Sequence, residues 1–386
     1  MIQTAIGISD DIDIGVALEE VFEQCRKQLG SCLPQAGVFF TSCMDADFSE
    51  ILGRIQREFP GLQLVGCTTD GEISRETGCI EDSLALLLLA SDTLEFAVAV
   101  ATNLSENAHD SYLTAFREAC EKLDRKPACA FTFPDGLTTM GIGIDKAIRH
   151  AFGDSFPVFG GTAGDHYLFT GCYQFCNNQV YSNAAPILLI AGDIELTSAV
   201  RTGPLPTGLH FKVDKHKDNV VYQIDGKTTV DFLREHLGEF RDEFSEFPLA
   251  VYENNSTDYY LRDPVYLNKE DGSISFVGTF PEQCTVRLAL VSRADVLDAA
   301  QQANTCILNT DKGTPPEIIF VFPCTWIRHI LGSRTNDTFS ALHQAPGRIP
   351  FFGFYCYGEI APFEIGKPSR FHNDTYVIIG LRSKNP

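Results

Sequence analysis

One pattern constrains this chain more than any other: a two-strand piece recurs three times. An apolar segment is followed, one helix later, by a second apolar segment that runs into a glycine-rich turn. The pairs are residues 37–43 (GVFFTSC) with 62–73 (LQLVGCTTDGEI), 128–136 (ACAFTFPDG) with 156–167 (FPVFGGTAGDHY), and 318–324 (IIFVFPC) with 349–360 (IPFFGFYCYGEI). Phe40 to Gly66 is 26 residues, Phe133 to Gly160 is 27 and Phe322 to Gly353 is 31. Matching pieces at near-constant spacing define an internal repeat better than any single match does.

Residues 48–59 place apolar side chains at 48, 51, 52, 55 and 59, which is helical spacing. Residues 144–152 behave likewise, and 339–345 occupy the same place in the third unit more weakly. Longer helices are expected at 16–29, 112–123 and 294–306, ahead of each unit. After the turns come strand runs at 83–90 with 95–102, 186–192 with 196–202, and 375–381. Strands alternating with helices predict an α/β class built from repeated β-α-β-α-type units, with parallel pairing inside each unit. The paired strands that follow are expected to form β-hairpins and make the sheets mixed. A Pro/Gly break at 201–208 divides the chain into expected domains of residues 1–203 and 204–386. Residues 210–280 fit no repeat; they predict strands, a charged helix over 229–240 and turns at Asp225-Gly226 and Asp271-Gly272.

Composition narrows the function. A net charge of −21 repels phosphate backbones and anionic lipids, and no basic cluster offsets it, so no nucleic-acid or membrane partner is expected. The longest apolar run, residues 84–90, is far too short to span a bilayer. Without a basic and apolar leader, the 13 cysteines read as reduced cytoplasmic thiols. P-loop, GxGxxG, HExxH, GxSxG and CxxC motifs are absent. Cys172 and Cys176, with three residues between them, read as core thiols rather than a zinc site.

Ligands of open α/β sheets sit outside the carboxyl ends of the strands, where the three turns fall. A pocket there would be lined by Gly66, Cys67, Asp70 and Glu72 from the first turn, and by Gly160, Gly161 and Asp165 from the second. Cys324, Arg328, Gly353, Tyr355 and Glu359 would come from the third unit. The alternative is that the glycines only turn the chain and the carboxylates only cap it. Arg328 could clamp a carboxylate or join a structural ion pair. His166 and His372 adjoin turns or strand ends, and His329 neighbours Arg328. Cys67 or Cys324 with His166 or His329 would be the elements of a nucleophilic enzyme, but no spacing requires one.

At these turns the sequence resembles the FIST family (F-box and intracellular signal transduction proteins). The similar pieces are GCTTDGEIS at 66–74, GGTAGD at 160–165, Cys324 and Arg328 after IIFVFP, GFYCYGEIAP at 353–362 and FHNDTYVIIGL at 371–381. The resemblance implies N- and C-terminal FIST domains and a sensory role, not catalysis. It extends to the nitric-oxide-sensing NosP group, which binds haem and reports to a histidine kinase or a cyclic-di-GMP enzyme. The expectation that follows is a cytoplasmic sensor, a candidate homodimer, that binds haem b, answers nitric oxide and signals to such a partner. Axial iron ligands would be His372, His166 or His329, in falling order, or a thiolate of Cys67, Cys324 or Cys356. The alternative is a FIST sensor of a small polar ligand such as an amino acid, without haem.

Overall fold

The computed structural model describes residues 1–238, 247–253, 256–309 and 314–384. The three repeats are three six-stranded mixed sheets. In the first, the order is Ile2–Ser9, Leu84–Ser91, Ala36–Thr41, Gln63–Thr68, Gln174–Cys176, Gln179–Tyr181. The second runs Glu95–Thr102, Ala184–Ala191, Pro127–Thr132, Val158–Gly161, Glu359–Pro362, Ser369–His372. The third runs Ile194–Thr202, Thr375–Ser383, Ile318–Pro323, Phe351–Phe354, Glu72–Ser74, Gly78–Ile80. Each has one parallel pair at its centre, with Phe39 opposite Gly66, Thr132 opposite Gly160 and Val321 opposite Gly353.

The last two strands of every sheet come from a different unit. The hairpin after the first turn joins the third sheet, the one after the second joins the first sheet, and the one after the third joins the second sheet. Hairpins therefore do follow the turns, but they are these short ones. The runs expected to pair, 83–90 with 95–102 and 186–192 with 196–202, enter different sheets instead. Residues 1–203 and 204–386 are joined through such sheets: Ile194–Thr202 pairs along its length with Thr375–Ser383.

Alternation along the central strands explains the layers. Val38, Phe40, Phe131, Phe133, Phe320, Phe322, Phe352 and Phe354 face one shared core enclosed by all three sheets. The rings of Phe40 and Phe354 lie 4.4 Å apart and those of Phe131 and Phe320 4.5 Å. Opposite-facing residues such as Phe39, Leu64 and Leu86 pack under the helices Ile14–Leu29 and Phe48–Glu58. Helices Leu104–Cys120 and Ile144–Phe152 cover the second sheet, and Arg293–Leu308 and Thr325–Leu331 the third. The third unit's linking segment continues as a 3-10 turn at Gly332–Phe339 and a short helix at Ser340–Gln344. Its expected helix at 339–345 is thus only the tail of a longer irregular connection.

A fourth sheet carries the segment outside the repeat, including Leu205–Lys217, Val220–Ile224 and Cys284–Leu290. Asp225 and Gly226 both adopt left-handed conformations, as their turn requires. The helix expected over 229–240 runs Thr229–Leu237; residues 239 and 240 lie outside the described residues. Among the described residues no helix is long and apolar enough to cross a membrane.

Gly66, Gly160 and Gly353 carry the repeat because of backbone crowding. A Cβ at these positions would lie 1.8, 1.9 and 1.7 Å from the carbonyl oxygen of Phe39, Thr132 and Val321. Gly66→Ala and Gly353→Ala are expected to cost at least ~3 kcal/mol each in urea denaturation, as overpacking against rigid backbone does. Gly53→Ala, in a helix with only the Arg57 side chain nearby, is expected to be neutral or stabilising by up to ~1 kcal/mol. Equal effects at the two kinds of site would contradict this account.

Candidate functional site

The three turns are tied to one another by backbone hydrogen bonds. Asp70 N–H donates to the Tyr355 carbonyl and Tyr355 N–H to Gly71, joining the first and third turns. Thr162 N–H donates to Gly358 and Tyr357 N–H to Thr162, joining the third and second. Gly164 N–H donates to Thr68, closing the ring.

Asp70 sits where the three meet. Its carboxylate accepts from His166 N–H at 2.7 Å and from the Thr325 hydroxyl at 2.6 Å, so one side chain touches all three units. Burial pushes its pKa up, while Thr325, His166 and Arg328 favour the anion. Arg328, on the helix begun by Thr325, donates to the Asp70 carbonyl and to the Glu81 carboxylate. These residues line a cavity of about 430 Å³ together with Tyr167, His329, Ser333 and Thr335. Of the expected site residues, the structure brings together Asp70, His166, Arg328 and His329. Thr325, Glu81, Tyr167, Ser333 and Thr335 were not singled out from the sequence; Thr325 and Tyr167 adjoin residues that were, and nothing local marked Glu81, Ser333 or Thr335.

The other expected residues have different surroundings. Gly66, Gly160 and Gly353 make backbone contacts, and a Cβ on Gly161 would strike Cys356 Sγ at 2.7 Å. Asp165 is a loop anchor: its carboxylate accepts from N–H groups of Phe169, Thr170 and Gly171 and from the Tyr357 hydroxyl. Against burial, those bonds hold its pKa below the ordinary carboxylate range. The loop it anchors is strained, with His166, Tyr167 and Phe169 all left-handed. Tyr355 is buried beneath the Arg328 guanidinium, 5.5 Å from it. Burial pushes the thiols of Cys67, Cys324 and Cys356 far up, away from nucleophilic thiolates.

Glu72 and Glu359 are structural counterparts. Glu72 accepts from the hydroxyls of Ser42, Thr69 and Ser83; Glu359 accepts from Thr375 and from the Cys356 thiol. Both are fully buried, and burial raises their pKa values to about 7 and about 8.

The candidate histidines, as the described residues place them, do not fit haem. An iron porphyrin needs a broad apolar slot with a free axial donor. His372 is fully buried, its Nε2 lies 2.9 Å from the Ala361 carbonyl, and burial holds its pKa down to about 3. His166 Nε2 lies 2.9 Å from the Ser42 carbonyl. His329 is exposed on the rim, and the cavity beside it is walled by polar and charged groups. A larger surface cleft of about 740 Å³, between Arg201, Asp295 and Arg370, contains none of the turn residues.

Models of the FIST N domain and the FIST C domain match residues 35–227 and 229–362, most of the chain. The chain belongs to the FIST family, a sensory and signalling domain family. It is 23% identical over 309 residues to an uncharacterized protein of Methanocaldococcus jannaschii, covering 76% of this chain and 56% of that relative's length. Two solved cyanuric acid hydrolase structures are distantly similar. The one from A. caulinodans shares 8% identity at a TM-score of 0.38, covering 99% of this chain and 100% of that one. The other shares 10% at 0.35, covering 98% and 99%.

The Glu72 cage predicts a pH dependence. Between the ordinary 4.5 and about 7, folded Glu72 keeps a proton that the unfolded chain has lost. Stability therefore falls as pH rises through that window, and the contribution is gone above it. Glu72→Gln is expected to reduce the loss of stability between pH 5 and pH 8 by roughly 2–4 kcal/mol. Urea denaturation at several pH values checks this; an unchanged pH slope would contradict it.

Proposed function

We propose that this chain is a FIST sensor of a small polar ligand bearing both a carboxylate and an ammonium group, an amino acid or close relative. The observation that carries the proposal is the cavity in which Asp70, His166 and Arg328, from three separate units, converge. Arg328 offers a planar guanidinium already oriented by the Asp70 carbonyl. Its second partner, Glu81, is half exposed, so a ligand carboxylate can replace it at little cost. The Asp70 carboxylate and the hydroxyls of Ser333 and Thr335 supply acceptors for an ammonium group. A binding event there bears on all three turns together, which is a means of passing the ligand state to a partner protein. Neutral, buried Cys67 and Cys324 thiols favour sensing over nucleophilic catalysis. The polar cavity favours this ligand over haem and nitric oxide.

A thermal-shift screen with single amino acids and small carboxylic acids tests the proposal. A ligand present at a hundred times its Kd adds about 2.7 kcal/mol, a rise of several degrees in Tm for a chain of this size. Arg328→Lys is expected to weaken binding at least tenfold, because a point charge cannot hold the Asp70 carbonyl and a carboxylate in one plane. Stabilisation by haemin alone, or by none of these compounds, would overturn the proposal.

A further inference from the structure

A second group of side chains lies behind the ligand cavity, across Tyr167. Asp263 stands between the strands Tyr259–Arg262 and Pro264–Leu267 of the fourth sheet. Cys324 follows the strand Ile318–Pro323 and caps the helix Thr325–Leu331, and Asp374 forms the turn ahead of Thr375–Ser383. One carboxylate oxygen from each aspartate and the Cys324 sulfur all lie within 4.8 Å of one another. Cys324 Sγ is 4.0 Å from Asp374 Oδ1.

The polar accounts at this cluster do not close. Asp374 is fully buried, and its Oδ2 has no hydrogen-bond partner among the described residues. Oδ1 of Asp263 is also buried and meets no donor among them; the two carboxyls face each other and hydrogen-bond only when one of them holds a proton. Two carboxylates beside a thiol in a dry setting need a cation or a shared proton. Arg262, the neighbouring cation, donates through Nε and Nη1 to the carbonyls of Thr279, Leu261 and Phe371. Room is present as well: Asp263 and Cys324 line a small cavity of about 80 Å³ with Trp326, Tyr357, Tyr167 and Phe169. That exceeds the space one water needs.

We infer that Asp263, Cys324 and Asp374 form a binding site for a single divalent transition-metal ion of borderline softness, with Zn²⁺ the best match. One sulfur and two oxygens suit such an ion, whereas Mg²⁺ and Ca²⁺ prefer oxygen alone. A tetrahedral ion would set the sulfur and oxygen ligands about 3.5 Å apart, so the three donor atoms, now within 4.8 Å of one another with Cys324 Sγ and Asp374 Oδ1 at 4.0 Å, would close in on it by side-chain adjustment. The thiol loses its proton to solvent on coordination, and the cation removes the carboxylate repulsion. Three protein ligands leave a fourth position open toward the small cavity. The ion would clip the fourth sheet to the third unit beside the wall that Tyr167 shares with the ligand cavity.

The test is titration of chelator-treated full-length protein with Co²⁺, followed by competition with Zn²⁺. The expected result is one Co²⁺ per chain, with thiolate-to-metal charge-transfer absorption that one equivalent of Zn²⁺ abolishes. Cys324→Ser should remove that absorption, and Asp374→Asn should weaken affinity at least tenfold. Cys306→Ser, at an exposed thiol, should change neither. Asp263→Asn provides a second carboxylate variant at a less buried position, with circular dichroism as the check on folding. Absence of charge transfer in the folded wild-type protein, or its survival in Cys324→Ser, would overturn the inference. So would unchanged metal uptake in folded Asp374→Asn or Asp263→Asn, which would mark the pair as carboxyls sharing a proton.

Discussion

The ring of backbone hydrogen bonds between the three glycine-rich turns is the constraint on which this structure depends. Each turn throws its hairpin onto another unit's sheet, so no unit can complete its own hydrogen-bonding edge. An unpaired edge exposes donors and acceptors that must find partners elsewhere. Exchange around a cycle satisfies all three edges at once, and the bonds among Asp70, Gly71, Tyr355, Thr162, Gly358, Gly164 and Thr68 fix where the exchange occurs. The glycines follow from this. A parallel strand pair whose backbones approach so closely leaves no space for a Cβ at positions 66, 160 and 353.

The proposed function grows from the same crossing point. Asp70 bonds to a backbone N–H from the second unit and a hydroxyl from the third, positions 96 and 255 residues away along the chain. A ligand that displaces or reorients it works on contacts shared by all three units. The neighbouring loop from His166 to Gly171 is held left-handed at three residues by the Asp165 carboxylate, so its shape is imposed by the site and not by local preference. Its aromatic residue Tyr167 lines both the proposed ligand cavity and the smaller cavity behind it.

Local patterning revealed the units but not their exchange. Helical periodicity placed Phe48–Glu58 and Ile144–Phe152 closely, and the spacing from Phe40, Phe133 and Phe322 to the glycines marked the parallel pairs. Which sheet a strand joins is a non-local choice that a period-2 pattern does not encode, so residues 83–90 and 95–102 read as partners although they separate. Asp70, His166, Arg328 and His329 were legible because they sit at turns or strand ends. His372 sits at such an end too, yet its ring points into protein, and only tertiary packing decides that. Asp263 was invisible for the opposite reason: it lies in the segment outside the repeat and meets Cys324 and Asp374 only in the fold.

The central claim is that the three turns make one ligand site. Hydrogen–deuterium exchange, with and without a mixture of amino acids, tests it most directly. The account predicts simultaneous protection of residues 69–72, 165–171 and 325–335, with little change elsewhere. Protection confined to the cleft around Arg201, Asp295 and Arg370, or to one turn alone, would contradict it.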